Sequence, residues 1–115
     1  MDLETLRSFC LSLPAATEDV KWGHDLCFCV GEKMFCVASM EPPLTFSFKV
    51  PDEDFDEVST RIGFTPAPYM ARNKWVMVTD ASKIKKKETE QMVRESYEMI
   101  KSKLTKKLRT SLKLE

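Results

Sequence analysis

The alternation of apolar and polar positions is strongest between residues 22 and 38, where two apolar runs flank the dipeptide Gly31-Glu32. Both runs are rich in residues that favour strands, and a two-residue loop that contains glycine is a strong hairpin signal. The pattern therefore predicts a β-hairpin that turns at Gly31-Glu32. Because an isolated hairpin is only marginally stable in water, further strands and a helix are expected to pack against it.

The two-residue loop also predicts a register for this hairpin. The expected cross-strand pairs are Val30 with Lys33, Phe28 with Phe35, Leu26 with Val37 and Cys27 with Cys36. Because side chains alternate across a strand, each face of the hairpin has its own set of residues. One face is expected to carry Leu26, Phe28, Val30, Phe35 and Val37, and the other Cys27, Cys29, Met34, Cys36 and Ala38.

Apolar residues at three- and four-residue spacing predict three helices. The first is capped by Asp2 and stopped by Pro14, the second opens at Pro51 and ends at Gly63, and the third begins between residues 82 and 88. The tail from residue 105 either continues the third helix or forms a short one of its own. The apolar stripes are Leu3, Leu6, Phe9, Cys10 and Leu13, then Phe55, Val58 and Ile62, then Met92, Val93, Tyr97, Ile100, Leu104 and Leu108.

Two more strands are expected, one over residues 44–50 with one buried and one solvated face, and a short one over residues 75–79. Residues 14–21 are expected to be a loop, and residues 64–74 a loop or a short edge strand. This order of elements predicts an α+β fold, a two-layer sandwich in which an antiparallel sheet carries its helices on one face. Residues 1–115 are expected to form one domain whose second sheet face is at least partly open.

Composition supports a folded globular chain, with 43% hydrophobic and 31% charged residues. The sequence shows neither an apolar run of membrane-spanning length nor a signal-peptide pattern, so a cytoplasmic location with reduced thiols and no membrane contact is expected. The net charge is zero, but residues 1–60 hold 4 basic and 12 acidic residues, whereas residues 61–115 hold 14 basic and 6 acidic ones. Such a division is typical either of charges spread over solvated faces or of a dipolar surface that steers a charged partner.

Four potential metal ligands, His24, Cys27, Cys29 and Cys36, lie within thirteen residues. The predicted register places the three cysteines on one sheet face. However, Cys-x-Cys along a strand separates the sulfurs by about 6.5–7 Å, which is too far for an ideal tetrahedral zinc site. We therefore favour small apolar residues that pack under a helix over a metal site or a redox disulfide. No metal and no cofactor is expected.

Enzymatic activity is not expected either. The single histidine has no evident catalytic partner in the sequence, the three glycines are isolated, and the sequence contains none of the phosphate-loop, HExxH or GxSxG motifs.

Basic residues interleaved with an aromatic residue suggest a nucleic-acid surface instead. The candidate nucleic-acid-binding residues are Lys33, Lys49, Arg72, Lys74, Trp75, Lys85, Lys86 and Lys87. Two simpler interpretations remain open. Trp75 packs in the core, and Lys85, Lys86 and Lys87 form the solvated start of the last helix.

An ordered set of short motifs resembles the MmcQ/YjbR family of small bacterial proteins. The motifs are Gly31-Glu32-Lys33-Met34-Phe35, Lys49, Pro66-x-Pro68-Tyr69-Met70, Asn73-Lys74-Trp75 and Glu95-Ser96-Tyr97. The resemblance covers nearly the whole chain and implies a CyaY-like, frataxin-like sandwich with a "double wing" label that denotes DNA binding. The biochemical role of that family is not established.

Two functional hypotheses follow, both for a monomer. In the first, the chain is a nucleic-acid-binding module that uses the half from residue 61 onward together with the hairpin tip, and binds DNA weakly and non-specifically. In the second, it is an adaptor that binds a protein or a small ligand on the open sheet face.

Overall fold

A computed structural model describes residues 1–114 of the chain. Short 3-10 turns occur at residues 52–54, 71–73 and 81–83. The helices are α1 (Leu3–Ser12), α2 (Phe55–Ser59), α3 (Lys86–Ser102) and α4 (Lys106–Ser111), and the strands are β1 (Thr17–Lys21), β2 (Asp25–Val30), β3 (Lys33–Ser39), β4 (Phe46–Lys49), β5 (Phe64–Pro66) and β6 (Trp75–Val78).

The six strands form one antiparallel sheet in the order β1-β2-β3-β4-β6-β5. The helices pack on one face of this sheet, where the main hydrophobic core lies, so the predicted α+β two-layer fold is confirmed. The largest fully buried side chains of this core come from β2, β3, β4 and α3. They are Tyr97, Phe28, Phe35, Phe46 and Phe48.

Strand β1 contradicts the expectation of a loop over residues 14–21. Its sequence, Thr-Glu-Asp-Val-Lys, lacks the apolar alternation that predicts a strand, because β1 is a largely exposed edge strand. It is held in place by pairing with β2 and by Arg7 of α1, whose Nε and Nη2 atoms donate to the Glu18 carboxylate at 2.7 and 2.6 Å. These bonds to Arg7 lower the pKa of Glu18.

The predicted hairpin is present, but its predicted register is wrong beyond the turn. Val30 does pair with Lys33, whereas Phe28 pairs with Cys36 and Cys27 with Val37, and the register shifts between Phe28 and Cys29. Phe35 is the extra residue of a β-bulge. As a result Phe35 and Cys36 both belong to the helix-side core, and Val37 belongs to the open face.

The bulge is held by Ser96 of α3, which is fully buried. Its Oγ donates to the carbonyl of Phe35 at 2.7 Å and accepts from the N–H of Lys49 at 3.0 Å. The next residue, Tyr97, donates its hydroxyl to the carbonyl of Pro14 at 2.6 Å, which ties the end of α1 to α3. The Ser-Tyr pair of the family motif therefore has a structural role.

The second predicted helix is shorter than expected. It ends at Ser59, where the hydroxyl of Thr60 donates back to the carbonyl of Asp56 at 2.8 Å. Ile62 is 81% exposed, so its assignment to the apolar stripe is wrong. The carboxylate of Glu88 in α3 accepts from Arg61 at 2.9 and 3.0 Å, which holds this connection against the helix layer.

The tail forms a separate helix, because the side chain of Thr105 accepts from the N–H of Leu108 and caps α4. Leu104 and Leu108 then pack over Gly31, which has a φ of +57°. A Cβ at Gly31 would lie 2.7 Å from Cδ1 of Leu104, so the tight hairpin turn needs glycine for space as well as for backbone conformation. Within residues 1–114, no helix combines the length and apolar character required to cross a membrane.

Candidate ligand-binding cleft

The open face of the sheet carries a second, smaller apolar cluster. The segment after β5 folds over part of this face, with the N–H of Ala67 donating to the carbonyl of Trp75 and the N–H of Trp75 donating to the carbonyl of Met70. Trp75 is 6% exposed, so its ring packs in this cluster and is not available as a surface platform for bases. The cluster consists of Cys27, Cys29, Val37, Ala67 and Trp75, with Met34, Met70 and Met77 at its margin.

Beside this cluster lies a cleft of about 640 Å³ between the two outer hairpins of the sheet. Its floor comes from β3, β4 and β6, one wall from the β1–β2 turn, and the other from the connection between β5 and β6. The size is that of a small-molecule site, which typically has a volume of about 300–1,000 Å³. The lining residues are Trp22, His24, Asp25, Met34, Val37, Ala38, Ser39, Thr45, Phe46, Ser47, Pro68, Tyr69, Met70 and Met77.

Two aromatic side chains stand at the opposite walls of the cleft and are strongly exposed. Trp22 is 64% exposed and Tyr69 is fully exposed. Both have left-handed backbone conformations, with φ values of +55° and +65°. Bulky residues are rare in this region, which costs them roughly 1–2 kcal/mol each. Strained and solvent-exposed aromatic residues on both walls of one cleft are typical of a binding site rather than of packing.

The polar groups of the cleft gather near the Trp22 wall. His24 and Asp25 adjoin the turn, and their Nε2 and Oδ1 atoms are 3.9 Å apart. Ser47, on the supposedly solvated side of β4, is in fact buried because the covering segment shields the sheet. The three methionines of the lining give the apolar part of the wall flexible, polarisable side chains that adapt to the shape of a ligand.

The cysteines do not form the single-face group that the sequence predicted. Cys36 lies in the helix-side core because of the bulge, and burial together with contact with Cys10 raises its pKa well above the usual range. On the open face, burial and the neighbouring Cys29 raise the pKa of Cys27 to about 11, and burial raises that of Cys29. Over residues 1–114, no three His, Cys, Asp or Glu side chains lie where they could hold a metal ion together.

The predicted basic residues fall into two separate groups. Lys33, Lys49, Arg72 and Lys74 lie at the end of the sheet where β3 and β6 begin and β4 ends. The run from Lys85 to Lys87 lies at the N-terminal end of α3, whereas Lys49 lies near Ser96 and Lys103, roughly 15–25 Å further along the helix. The two groups are therefore separated along most of α3.

The first group has its own local electrostatics. Lys49 donates from Nζ to the carbonyl of Asn73. Its pKa is lowered by burial and by the nearby charges of Lys103 and Lys74, and Asp52 acts in the opposite direction. The Nζ atom of Lys74 lies 5.1 Å from the ring centroid of Phe55. We call Lys33, Lys49, Arg72, Lys74 and Lys103 the basic end.

Sequence reasoning missed Trp22 as a candidate site residue and named Tyr69 only as part of a family motif. The signals that point to them are an aromatic residue directly before a turn glycine, Trp22-Gly23, and the Pro66-x-Pro68-Tyr69-Met70 segment. Neither signal identifies a site by itself. Trp22 and Tyr69 line one cleft only because the strand order places their two hairpins on either side of β3 and β4.

The fold and the cleft together define a class of protein, a small α+β domain whose antiparallel sheet has helices on one face and an apolar cleft on the other. The model of the YjbR family matches residues 11–99, and the chain belongs to the YjbR family. A search of the curated proteins gives no match.

Solved structures that resemble the chain include two crystal structures. A crystal structure of a Deinococcus radiodurans protein with the domain DUF419 is 27% identical and covers 96% of this chain and 87% of its own, with a TM-score of 0.86. A crystal structure of a Pseudomonas syringae protein is 16% identical and covers 87% of this chain and 99% of its own, with a TM-score of 0.75. The second similarity concerns the fold alone.

Proposed function

We propose that this protein binds a small organic ligand with an apolar body in the cleft of the open sheet face. The observation that carries the proposal is the pair of exposed, left-handed aromatic residues, Trp22 and Tyr69, on opposite walls of one cleft. Residues with strained backbone conformations cluster at functional sites, so two of them at one cleft support a binding role for that cleft. This function is the small-ligand form of the adaptor hypothesis.

The chemistry of the lining supports a ligand with an apolar body. Most of the lining is carbon or thioether, and the few polar side chains lie mainly toward one wall, which is the usual arrangement in small-molecule sites. Trp22 and Tyr69 stack on planar groups, while Met34, Met70 and Met77 fill the remaining space.

The first prediction concerns Trp22→Asn. The turn has positive φ at both Trp22 and Gly23, and Asn-Gly is the sequence that such a turn favours. We therefore expect the variant to be as stable as the parent or more stable by roughly 1 kcal/mol, yet to lose binding of the neutral dye N-phenyl-1-naphthylamine at least several-fold. Dye fluorescence titration and urea denaturation measure the two effects.

Ile62→Asn is the matched control, because Ile62 is 81% exposed and lies outside the cleft lining. It removes a similarly exposed apolar side chain and is expected to leave dye affinity unchanged. If the parent protein does not bind the dye, or if both variants reduce binding equally, the cleft is not a ligand site.

Weak nucleic-acid binding by the basic end is the second candidate function. The specific observation in its favour is that Lys103 and Lys74 lie close enough to Lys49 to lower its pKa, so positive charges converge there. Asp52 lies at the same place and opposes them, and the net charge of the chain is zero. For these reasons we rank this function below ligand binding.

The second prediction tests it. Arg72→Ala/Lys74→Ala is expected to weaken binding to all duplex sequences alike and to flatten the dependence of the binding constant on salt, because both side chains would neutralise phosphates. The parent dissociation constant should be on the order of 10⁻⁴–10⁻⁶ M. Fluorescence anisotropy with labelled duplex DNA at about 50 mM salt measures both.

The matched control removes three charges at the opposite end of α3. Lys85→Ala/Lys86→Ala/Lys87→Ala is expected to change the binding constant less than the double variant, although it removes more charge. A larger effect of the triple variant, or no binding near 100 μM protein, would exclude the basic end as the DNA surface.

A further inference from the structure

We propose that the ligand of the cleft is an organic cation, an amine carried on an apolar and preferably aromatic body. The inference rests on the proposed ligand-binding function and adds the charge of the ligand to it. It is carried by Asp25, which lines the same cleft as the exposed aromatic residue Trp22 and the apolar floor.

The formal charge of the lining has one sign at neutral pH. Asp25 is the sole acidic residue among the fourteen that line the cleft, and neither lysine nor arginine occurs among them. Residues 61–115, which hold most of the basic residues, contribute only uncharged side chains to the lining. These are Pro68, Tyr69, Met70 and Met77. A ligand with an anionic group would meet a carboxylate and no counter-charge in this cleft.

Asp25 is also placed to act on a ligand. Its side chain is 28% exposed, so it is partly withdrawn from water at the first position of β2. The imidazole Nε2 of His24 lies 3.9 Å from its Oδ1, which is beyond hydrogen-bond distance, and Lys21 stands opposite it in the register of β1. A partly buried carboxylate with a distant partner interacts more strongly with an incoming cation than one fully screened by water.

The neighbouring groups of the same face carry charges of both signs. Lys21 lowers the pKa of the buried Cys27, and Asp25 and Asp19 each raise it by a smaller amount. Asp19 pairs with Cys27, so the two carboxylates occupy alternate pairs along the β1–β2 ladder. The carboxylate that reaches the cleft is Asp25.

The two exposed aromatic residues favour the same ligand charge. Indole and phenol rings attract cations through the negative potential of their faces, and indole does so best. Trp22 lies three residues before Asp25 and both line the cleft, so an indole ring and a carboxylate border the same space. Aromatic faces are the usual means by which proteins recognise organic ammonium groups, and a carboxylate adds an opposite charge.

Three compounds with one apolar body test the proposal. 2-(1-Naphthyl)ethylamine is a cation at neutral pH, 2-(1-naphthyl)ethanol is neutral, and 1-naphthylacetate is an anion. We expect the amine to displace N-phenyl-1-naphthylamine from the protein at about 5- to 10-fold lower concentration than the alcohol, and the acetate to be the weakest. Asp25→Asn should bring the amine to the level of the alcohol and leave the alcohol unchanged.

Asp19→Asn is the matched control, because Asp19 lies on the same ladder but outside the lining. It is expected to keep most of the preference for the amine. Equal binding of amine and alcohol by the parent protein, or equal loss of both in Asp25→Asn, overturns the inference about charge and leaves the ligand cleft in place. Failure of the dye and all three compounds to bind overturns the proposed function itself.

Discussion

Replacing Phe35 by alanine is expected to lower the free energy of unfolding by about 3–5 kcal/mol. Phe35 is fully buried at the bulge of β3, and its ring meets that of Tyr97 edge-to-face, with centroids 5.3 Å apart and planes at 87°. The truncation removes the hydrophobic burial of the ring and its contact with Tyr97. It also leaves a cavity, because the close-packed core around it can relax only partly. Urea denaturation followed by circular dichroism measures the change.

Two further variants keep this prediction decisive. Phe35→Leu retains most of the volume and should cost no more than about 1.5 kcal/mol, so it remains measurable if the alanine variant does not fold. Ile62→Ala removes an exposed side chain and should stay within about 0.5 kcal/mol of the parent. An unfolding midpoint for Phe35→Ala equal to that of Ile62→Ala would contradict the burial of Phe35.

Replacing Ser96 by alanine is expected to cost roughly 2–4 kcal/mol, which is far more than the usual effect of deleting one hydroxyl. The hydroxyl serves two strands at once, as donor to the carbonyl of Phe35 and as acceptor from the N–H of Lys49. Removing it leaves both backbone groups without a partner, and an unpaired buried group costs about 1–3 kcal/mol. The measurement is again the free energy of unfolding, with amide hydrogen exchange at Lys49 as a local readout.

Ser102 of the same helix provides the control. Its hydroxyl donates to the carbonyl of Met99 at 2.7 Å, but at an exposed site where water replaces the bond. Ser102→Ala should therefore stay within about 0.5 kcal/mol of the parent. If the two serine variants lose the same small amount of stability, Ser96 does not bridge the strands.

Local pattern was sufficient to predict elements whose apolar residues recur with a regular period. The strand within residues 44–50 and the last helix are of this kind, and the structure has β4 at Phe46–Lys49 and α3 at Lys86–Ser102. The predicted solvated face of β4 is wrong at Ser47, which is buried. The family motifs likewise led to the YjbR family and its α+β fold. These features are encoded in the spacing of apolar residues, which the chain carries before it folds.

Local pattern failed where the deciding contact comes from a distant part of the chain. An edge strand such as β1 needs no apolar alternation, because pairing with β2 and the bonds from Arg7 hold it. The hairpin register depends on Ser96, which lies 61 residues after Phe35. Its hydroxyl donates to the carbonyl of Phe35 and accepts from the N–H of Lys49, and these bonds stabilise the bulge. Loop length alone predicts the register without this bulge, so it puts Val37 and Cys36 on the wrong faces.

The candidate site also combines features that the sequence predicts with features that only distant contacts determine. The sequence by itself determined that one sheet face would be open and that positive charge would be concentrated after residue 60. Only the tertiary structure decided that Trp75 is buried, that Lys85–Lys87 and Lys49 lie at opposite ends of α3, and that Trp22 and Tyr69 share a cleft. The physical reason is that a cleft, unlike a strand or a helix, is made by elements that meet only when the whole sheet is assembled. Its residues are therefore spread over the sequence without any period that would identify them.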